Sequence, residues 1–329
     1  MTISVDVGKA ARKISKFVRR TELEYSPALS NLSGAEVWLK LEHLQHTGSF
    51  KWRGALNRIL SLSREELDRG IVTASNGNHG LAVCQAGRLV GVRPRVYLRE
   101  GVATERIDLI RQMGGDPVLF GRNPLQAEEK GRAVAVESGQ TFISPYNDQW
   151  VIAGQGTIGL EIMEQLESID GVFVAVGGGG LIAGIGTALR ESGGGACSAP
   201  RVVGCWPENS PVLFNCLNAG RIIEVEEAPT ISDSTAGGLE EGSLTLALCE
   251  KLIDEKVLVT EEEICDALRL IAEHERWMVE GAAGVALAGL LRLLRRADEW
   301  RGRRVVVILC GRNIGVDRFR EAIARRSSR

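Results

Sequence analysis

The 329-residue sequence predicts an α/β protein built on parallel sheets. Short apolar runs at 71–74, 172–176 and 305–309 each end in a polar or glycine-rich loop. The first two runs lead on into helical patterns, and strand–loop–helix order implies parallel pairing with both sheet faces covered. A hydrophobic content of 44% is ample for buried cores in a chain of this length. No internal repeat or long linker interrupts it.

The elements follow in order. Ala10, Ile14, Phe17 and Val18 recur at helical spacing and predict an N-terminal helix. The basic residues around them superficially resemble a transit peptide, but the segment runs unbroken into Arg20, Thr21 and Glu22 and is read as structural. Residues 37–41 read as a strand. In His-Thr-Gly-Ser-Phe-Lys-Trp-Arg-Gly at 46–54, turn-forming residues lead into Lys51 and an apolar helical run follows, so Lys51 should open a helix between the rings of Phe50 and Trp52. The positive helix end and apolar rings disfavour an ammonium ion, lowering the pKa and making the amine a nucleophile toward aldehydes.

The strand at 71–74 passes through Ser75, Asn76, Gly77, Asn78, His79 and Gly80 into a helix at 81–90. Short strands at 95–98 and 117–120 flank an amphipathic helix at 104–113, and the turn-rich 144–150 marks the return to a second sheet. Helix 151–168, strand 172–176, helix 181–191 and strand 201–205 repeat the unit. Between them Gly177, Gly178, Gly179 and Gly180 leave amides uncovered at a helix start, which suits a phosphate. The glycines at 193–195 lack a preceding strand and read as a connector. Residues 207–245 are turn-rich. Thr260 should cap a helix at 261–275 whose first turn, Glu261, Glu262 and Glu263, complements its dipole. A small-residue helix at 282–294 suits close packing. The strand at 305–309 delivers Cys310, a thiol able to face a ring nitrogen, and Arg325, Arg326 and Arg329 read as a solvated end.

Forty basic against 42 acidic residues give a formal charge of −2, so no field concentrates the chain on nucleic acid or anionic lipid, and a small-molecule partner is expected. Seven cysteines without paired CxxC spacing argue against a disulfide framework or zinc cage and favour a reducing cytosol. No apolar run approaches the roughly 18–20 residues that span a membrane.

The SFK segment, SNGNHG at 75–80, AGQGT at 153–157 and GGGGL at 177–181 occur in the order and spacing of fold-type II pyridoxal-phosphate enzymes. Over about residues 10–320 the chain resembles the serine/threonine dehydratase and serine racemase group. The resemblance implies a tryptophan synthase β-like fold: two open, twisted, mostly parallel sheets with flanking helices, and pyridoxal 5'-phosphate in the cleft between domains. A small domain at 47–148 would be inserted between 1–46 and 149–329, which form the large domain.

It further implies that Lys51 is the Schiff-base lysine and α-proton base, with Phe50 beside the cofactor. Gly177, Gly178, Gly179 and Gly180 would hold the phosphate, with Leu181 opening the helix behind. Asn78 would bond the phenolic oxygen, Glu280 lie near the ring, and Cys310 sit beside the pyridine nitrogen without keeping it protonated, which favours prompt β-elimination. Ser75, Asn76, Gly77 and His79 would form the loop that takes the substrate carboxylate, His79 as a structural rather than acid–base residue. Trp206 stands about where metal-binding relatives carry an acidic ligand, which argues against a divalent-cation site, although Glu208 is close by.

The expected reaction is dehydration of L-threonine or L-serine to a 2-oxo acid and ammonia by a cytoplasmic homodimer or higher homo-oligomer. With no regulatory domain after residue 329, the resemblance is to the short catabolic dehydratases. Alternatives are a dehydratase of a larger hydroxy amino acid in hydroxyectoine breakdown, with Trp52, Tyr146 and Arg312 reshaping the pocket, and a serine racemase. Against the latter, Asn76 replaces the serine that reprotonates the carbanion. A non-catalytic nucleotide-binding module would use the glycine loop but leaves Lys51 unexplained.

Overall fold

The computed structural model describes residues 5–75, 77–192, 199–296 and 298–324; Asn76, the 193–195 glycines, Arg325, Arg326 and Arg329 lie outside them. The strands are β1 (Leu23–Tyr25), β2 (Glu36–Lys40), β3 (Ile71–Ala74), β4 (Arg95–Leu98), β5 (Asp116–Leu119), β6 (Thr141–Phe142), β7 (Gly171–Ala175), β8 (Arg201–Pro207), β9 (Glu255–Val259) and β10 (Arg304–Ile308). The helices are α1 (Val7–Ile14), α2 (Pro27–Ser33), α3 (Lys51–Ile59), α4 (Arg64–Arg69), α5 (Asn78–Leu89), α6 (Thr104–Gln112), α7 (Pro124–Ser138), α8 (Gln149–Gln165), α9 (Gly180–Ser192), α10 (Val212–Ala219), α11 (Leu244–Leu252), α12 (Glu261–Leu270), α13 (Gly281–Arg296) and α14 (Val316–Ala324).

As expected, the strands form two mostly parallel sheets. The larger has the order β1-β2-β10-β7-β8-β9 and the smaller β5-β4-β3-β6. Every pair is parallel except β1–β2. β10 lies at the centre, Val306 opposite Trp38 on one side and Val172 on the other. Its Val305, Val306, Val307 and Ile308 are fully buried, as a strand covered on both faces requires. α13 packs on this sheet through small residues: a Cβ on Gly289 would stand 3.1 Å from that of Cys205.

The AGQGT segment lies inside α8 and acts as a spine. A Cβ on Gly154 would stand 2.6 Å from the Arg53 carbonyl oxygen and 2.7 Å from Gly54 Cα, so α3 and α8 touch backbone to backbone. On the other side a Cβ on Gly184 of α9 would stand 2.6 Å from the Gly156 nitrogen. Helices α3 and α9, which begin at Lys51 and at the glycine loop, are thus held at fixed separation by one intervening helix.

A buried ionic network reinforces the contact. Arg53 Nε and Nη2 donate to the two Glu42 oxygens at 2.8 and 2.7 Å, and Nη1 donates to Glu161 at 2.6 Å and to Thr157 at 3.1 Å. Lys40 adds a 2.6 Å bond to Glu161. Arg53, Glu42 and Lys40 are sealed from solvent, so removing one partner would leave an uncompensated charge at a cost of about 3–5 kcal/mol.

Several expectations need correction. α1 ends at Ile14; Phe17 lies beyond it, 39% exposed, and Val18 is half-buried against the core around α3. Trp52 does not flank the Lys51 amine: its indole donates to the Phe17 carbonyl at 2.9 Å and its ring packs in that same core. The segment 207–245 contains α10, and α7 was not foreseen. The helix expected over 261–275 is capped by Thr260 as anticipated, but after Leu270 it turns π-helical over Ile271–Glu275 and ends at Arg276 with φ +63°. Among the described residues no helix is long and apolar enough to cross a membrane.

Candidate active site

The loops after β3, β7 and β10 converge on the start of α3. Ser49 pairs with Gly311 in an isolated antiparallel bridge, and the Phe50 amide donates to the Cys310 carbonyl at 3.1 Å, so the lysine loop and the β10 loop are joined through their backbones. Asn78, first residue of α5, accepts from Asn313 Nδ2 at 2.6 Å. Tyr146 packs against Gly178 and Gly180, and its neighbour Pro145 accepts from Lys51.

Lys51 is the first residue of α3. Its Nζ donates to the Pro145 carbonyl at 2.7 Å and lies 5.1 Å from the Phe50 ring centroid. Burial pushes the amine down to about 8, opposed first by Glu128 and then by Cys310 and Glu280. A group at 8 supplies neutral amine near neutral pH far more readily than an ordinary lysine.

The glycine loop has the form of an anion cradle. Among the described residues none accepts a hydrogen bond from the amides of Gly177, Gly178 or Gly179, and the first turn of α9 leaves further amides free. Gly179 has φ +86°, and a Cβ there would face Leu213, Cys249 and Thr245. Leu181 is buried behind the loop. The β3 loop repeats the device more modestly: the Gly77 amide donates to Ser75 Oγ at 3.2 Å, and the free amides of the α5 first turn begin at Asn78 and His79. The His79 ring itself is buried, with Nε2 3.1 Å from the Ile143 carbonyl, and burial pushes it down to about 3, so it stays neutral.

Cys310 is buried at the end of β10, and burial, reinforced by Glu280, holds its thiol well above the ordinary value. Glu280 accepts from Asn78 Nδ2 at 2.9 Å on both oxygens and from Ser234 Oγ at 2.8 Å; burial raises its carboxyl above the usual range. A Cβ on Gly311 would stand 2.8 Å from this carboxylate. The Asn78 donor expected to meet a cofactor oxygen is therefore engaged by Glu280. Trp206 is fully buried, Glu208 pairs with Arg292 at 2.8 Å, and among the described residues no three metal-ligating side chains converge.

A sequence model described as pyridoxal-phosphate dependent enzyme matches residues 14–311. The chain belongs to this family of pyridoxal-phosphate dependent enzymes. It is 40% identical to an L-threonine ammonia-lyase of Thermotoga maritima over 312 residues, 95% of this chain and 76% of that protein. It is 35% identical to a catabolic L-threonine dehydratase of Staphylococcus aureus over 95% of this chain and 89% of that one. Among solved structures, the processed threonine deaminase isoform 2 of Solanum lycopersicum superposes with a TM-score of 0.88 at 32% identity, covering 97% of this chain and 92% of that one. The serine racemase of Dictyostelium discoideum gives 0.85 at 31%, covering 94% and 98%.

The residues present fit the family's cofactor. Unpartnered glycine amides can hold its phosphate, the lowered Lys51 amine can engage its aldehyde, and the neutral Cys310 thiol can face its ring nitrogen. Sequence reasoning had passed over Ser234, and also Glu128, Arg132 and Glu240, which gather beside Lys51. For Glu128 and Arg132 the only signal is spacing within α7, whose buried face is made of Ala127, Gly131 and Ala135 rather than large apolar residues; Ser234 and Glu240 lie in the turn-rich segment before α11.

Proposed function

We propose that this pyridoxal-phosphate dependent enzyme removes water from a β-hydroxy amino acid, L-threonine or L-serine in the simplest case, and releases a 2-oxo acid and ammonia. The observation that carries the reading is Lys51: a partly buried amine at a helix start, lowered to about 8 and beside a glycine loop with free amides. When bound, pyridoxal phosphate supplies the electron sink that weakens the bonds of the α-carbon.

The chain's own residues do the rest. Ser75, Gly77 and the first-turn amides of α5 take the substrate carboxylate, and Asn76 contributes to the same loop. The neutral form of Lys51, which its lowered pKa brings within reach, removes the α-proton. The amides of Gly177, Gly178, Gly179 and Gly180 would hold the cofactor's phosphate, and Phe50, Asn78 and Glu280 would hold its ring. Cys310 remains a thiol and would not protonate the cofactor's ring nitrogen, a setting that would favour prompt loss of the β-hydroxyl. The unsaturated amine then hydrolyses to the 2-oxo acid and ammonia. An amide at position 76 has no proton of useful pKa to return to the α-carbon, which supports elimination over racemisation. The resemblance also carries a cytoplasmic homodimer or higher homo-oligomer, which light scattering after size exclusion checks.

The test is a panel of β-hydroxy amino acids with 2-oxo acid and ammonia both measured, joined to borohydride trapping and peptide mapping. Both products and a label on Lys51 are expected. A label on another lysine, or no 2-oxo acid from any member of the panel, overturns the reading.

A further inference from the structure

The loop after β3 is tied to the loops of the larger sheet by the Asn78–Glu280 pair, and a second tie passes through Arg106 on α6. Ile110 of this helix is buried with Leu81 of α5 and with Val96 and Leu98 of β4, so α6 belongs to the layer of the smaller sheet. Arg106 Nη2 donates to Asp233 Oδ2 at 3.2 Å, reaching the segment before α11. Its Nη1 lies 3.1 Å from the point where a Cβ on Gly77 would stand. One guanidinium therefore rests on Gly77 and pairs with a carboxylate 127 residues further along the chain.

Asp233 is held in place independently of Arg106. Arg318 of α14 donates to the same Oδ2 at 2.9 Å and to the Thr230 carbonyl at 2.9 Å. The turn around Asp233 is tight, since the Thr235 amide and hydroxyl both donate to the Ser232 carbonyl, at 3.0 and 2.9 Å. Ser234 gives its hydroxyl to Glu280 at 2.8 Å, and the Thr235 carbonyl oxygen lies 2.8 Å from the point where a Cβ on Gly177 would stand. Asp233 is thus a fixed post beside the glycine loop, and Arg106 moors Gly77 to it. The Arg106 and Asp233 side chains are 36% and 41% exposed. Pairs this open to water add little to the stability of a fold, so loss of this one should be felt in ligand affinity before it is felt in Tm.

We propose that Arg106 is a positioning residue for the substrate: by mooring Gly77 to Asp233 it holds the start of α5 where its free amides meet the substrate carboxylate. This rests on the reading above, in which that loop takes the carboxylate of an amino acid. A loop already in place need not be ordered when the ligand arrives, and the saving appears as affinity. When Arg106 is removed, Asp233 stays with Arg318 and the turn keeps its shape, whereas Gly77 loses its mooring. Lys51, the glycine loop and Cys310 stand on other segments and keep their places, so the chemical step itself should not change.

2-Aminobutanoate carries the carboxylate but no hydroxyl to lose, so calorimetry on the holoenzyme reads its binding apart from elimination, and L-threonine gives kcat and KM. Arg106→Gln should raise that Kd and KM by about three- to fivefold. Its kcat, cofactor Kd and Tm should stay at wild-type values, the pattern of lost uniform binding. Arg106→Lys should recover part of the loss. Asp233→Asn should reproduce the effect, and the double variant should be no worse than either single one, because both remove the same tie. An unchanged Kd in Arg106→Gln overturns the proposal, as do single effects that multiply in the double variant. So does a kcat that falls while KM holds, since that would place Arg106 in the chemical step. The whole binding pattern with no 2-oxo acid from any hydroxy amino acid overturns the dehydratase reading and leaves the positioning role standing. A wild-type holoenzyme that binds no 2-aminobutanoate overturns both.

Discussion

Gly154→Ala tests whether α8 sets the position of the reactive lysine. The added methyl would stand 2.6 Å from the Arg53 carbonyl oxygen and 2.7 Å from Gly54 Cα. Both are backbone atoms, so no side chain can swing aside. Ordinary carbon contacts of about 3.5–4.0 Å require α3 to move away by roughly 1 Å. Overpacking of this kind costs about 1–3 kcal/mol. Lys51 lies three residues from Gly54 on the same rigid helix and must share the displacement, and a misplacement of about 1 Å near the chemistry lowers turnover by about 100-fold. The assay is kcat/KM with L-threonine or the best substrate of the panel, alongside thermal unfolding of the holoenzyme. Gly315→Ala is the control, since a Cβ there meets nothing within 4 Å. An alanine at 154 that retains full turnover and Tm would show that α3 is positioned by something other than the glycine contact.

Two further outcomes follow from the same geometry. Gly179→Asp should weaken cofactor affinity at least tenfold, about 1.4 kcal/mol, because φ +86° strains any side chain and the carboxylate is driven among Leu213, Cys249 and Thr245; a spectroscopic titration of the apo chain with unchanged Kd would make the loop a packing device only. Capture of pyridoxal phosphate by the apo chain should accelerate as pH rises through about 8, since Lys51 loses its proton there and only the neutral amine attacks. A midpoint near 10.5, the ordinary lysine value, would show that burial does not tune this amine.

The local units of the fold could be read from residues because their punctuation is local. Ile71–Ala74 matched residue for residue, and Lys51 opened its helix, because a strand that stops at a polar loop and a helix that starts after small residues need nothing from the rest of the chain. The downward shift of Lys51 was also legible, although burial rather than the adjacent tryptophan dominates it. α7 escaped notice because its buried face is Ala127, Gly131 and Ala135, which carry no strong hydrophobic period. The direction of Trp52 depends on a carbonyl 35 residues earlier. The Glu128–Arg132–Glu240 group joins side chains from separate segments, and no single window of sequence contains it.

The order of strands in the larger sheet has a consequence for synthesis. β10 is its last strand in sequence and sits between β2 and β7. A growing chain completes β2 early and then waits through 263 intervening residues for the partner that fills the gap; at about 5–20 residues per second that is roughly a quarter to most of a minute. Throughout that interval β2 presents an open edge bearing Val37 and Leu39, joined once Ala175 is made by the β7 edge bearing Val172 and Val174, all fully buried in the finished protein, and such edges invite pairing with other chains. Ribosome-bound or prematurely terminated products ending before residue 304 should therefore be the species that chaperones hold and that aggregates contain.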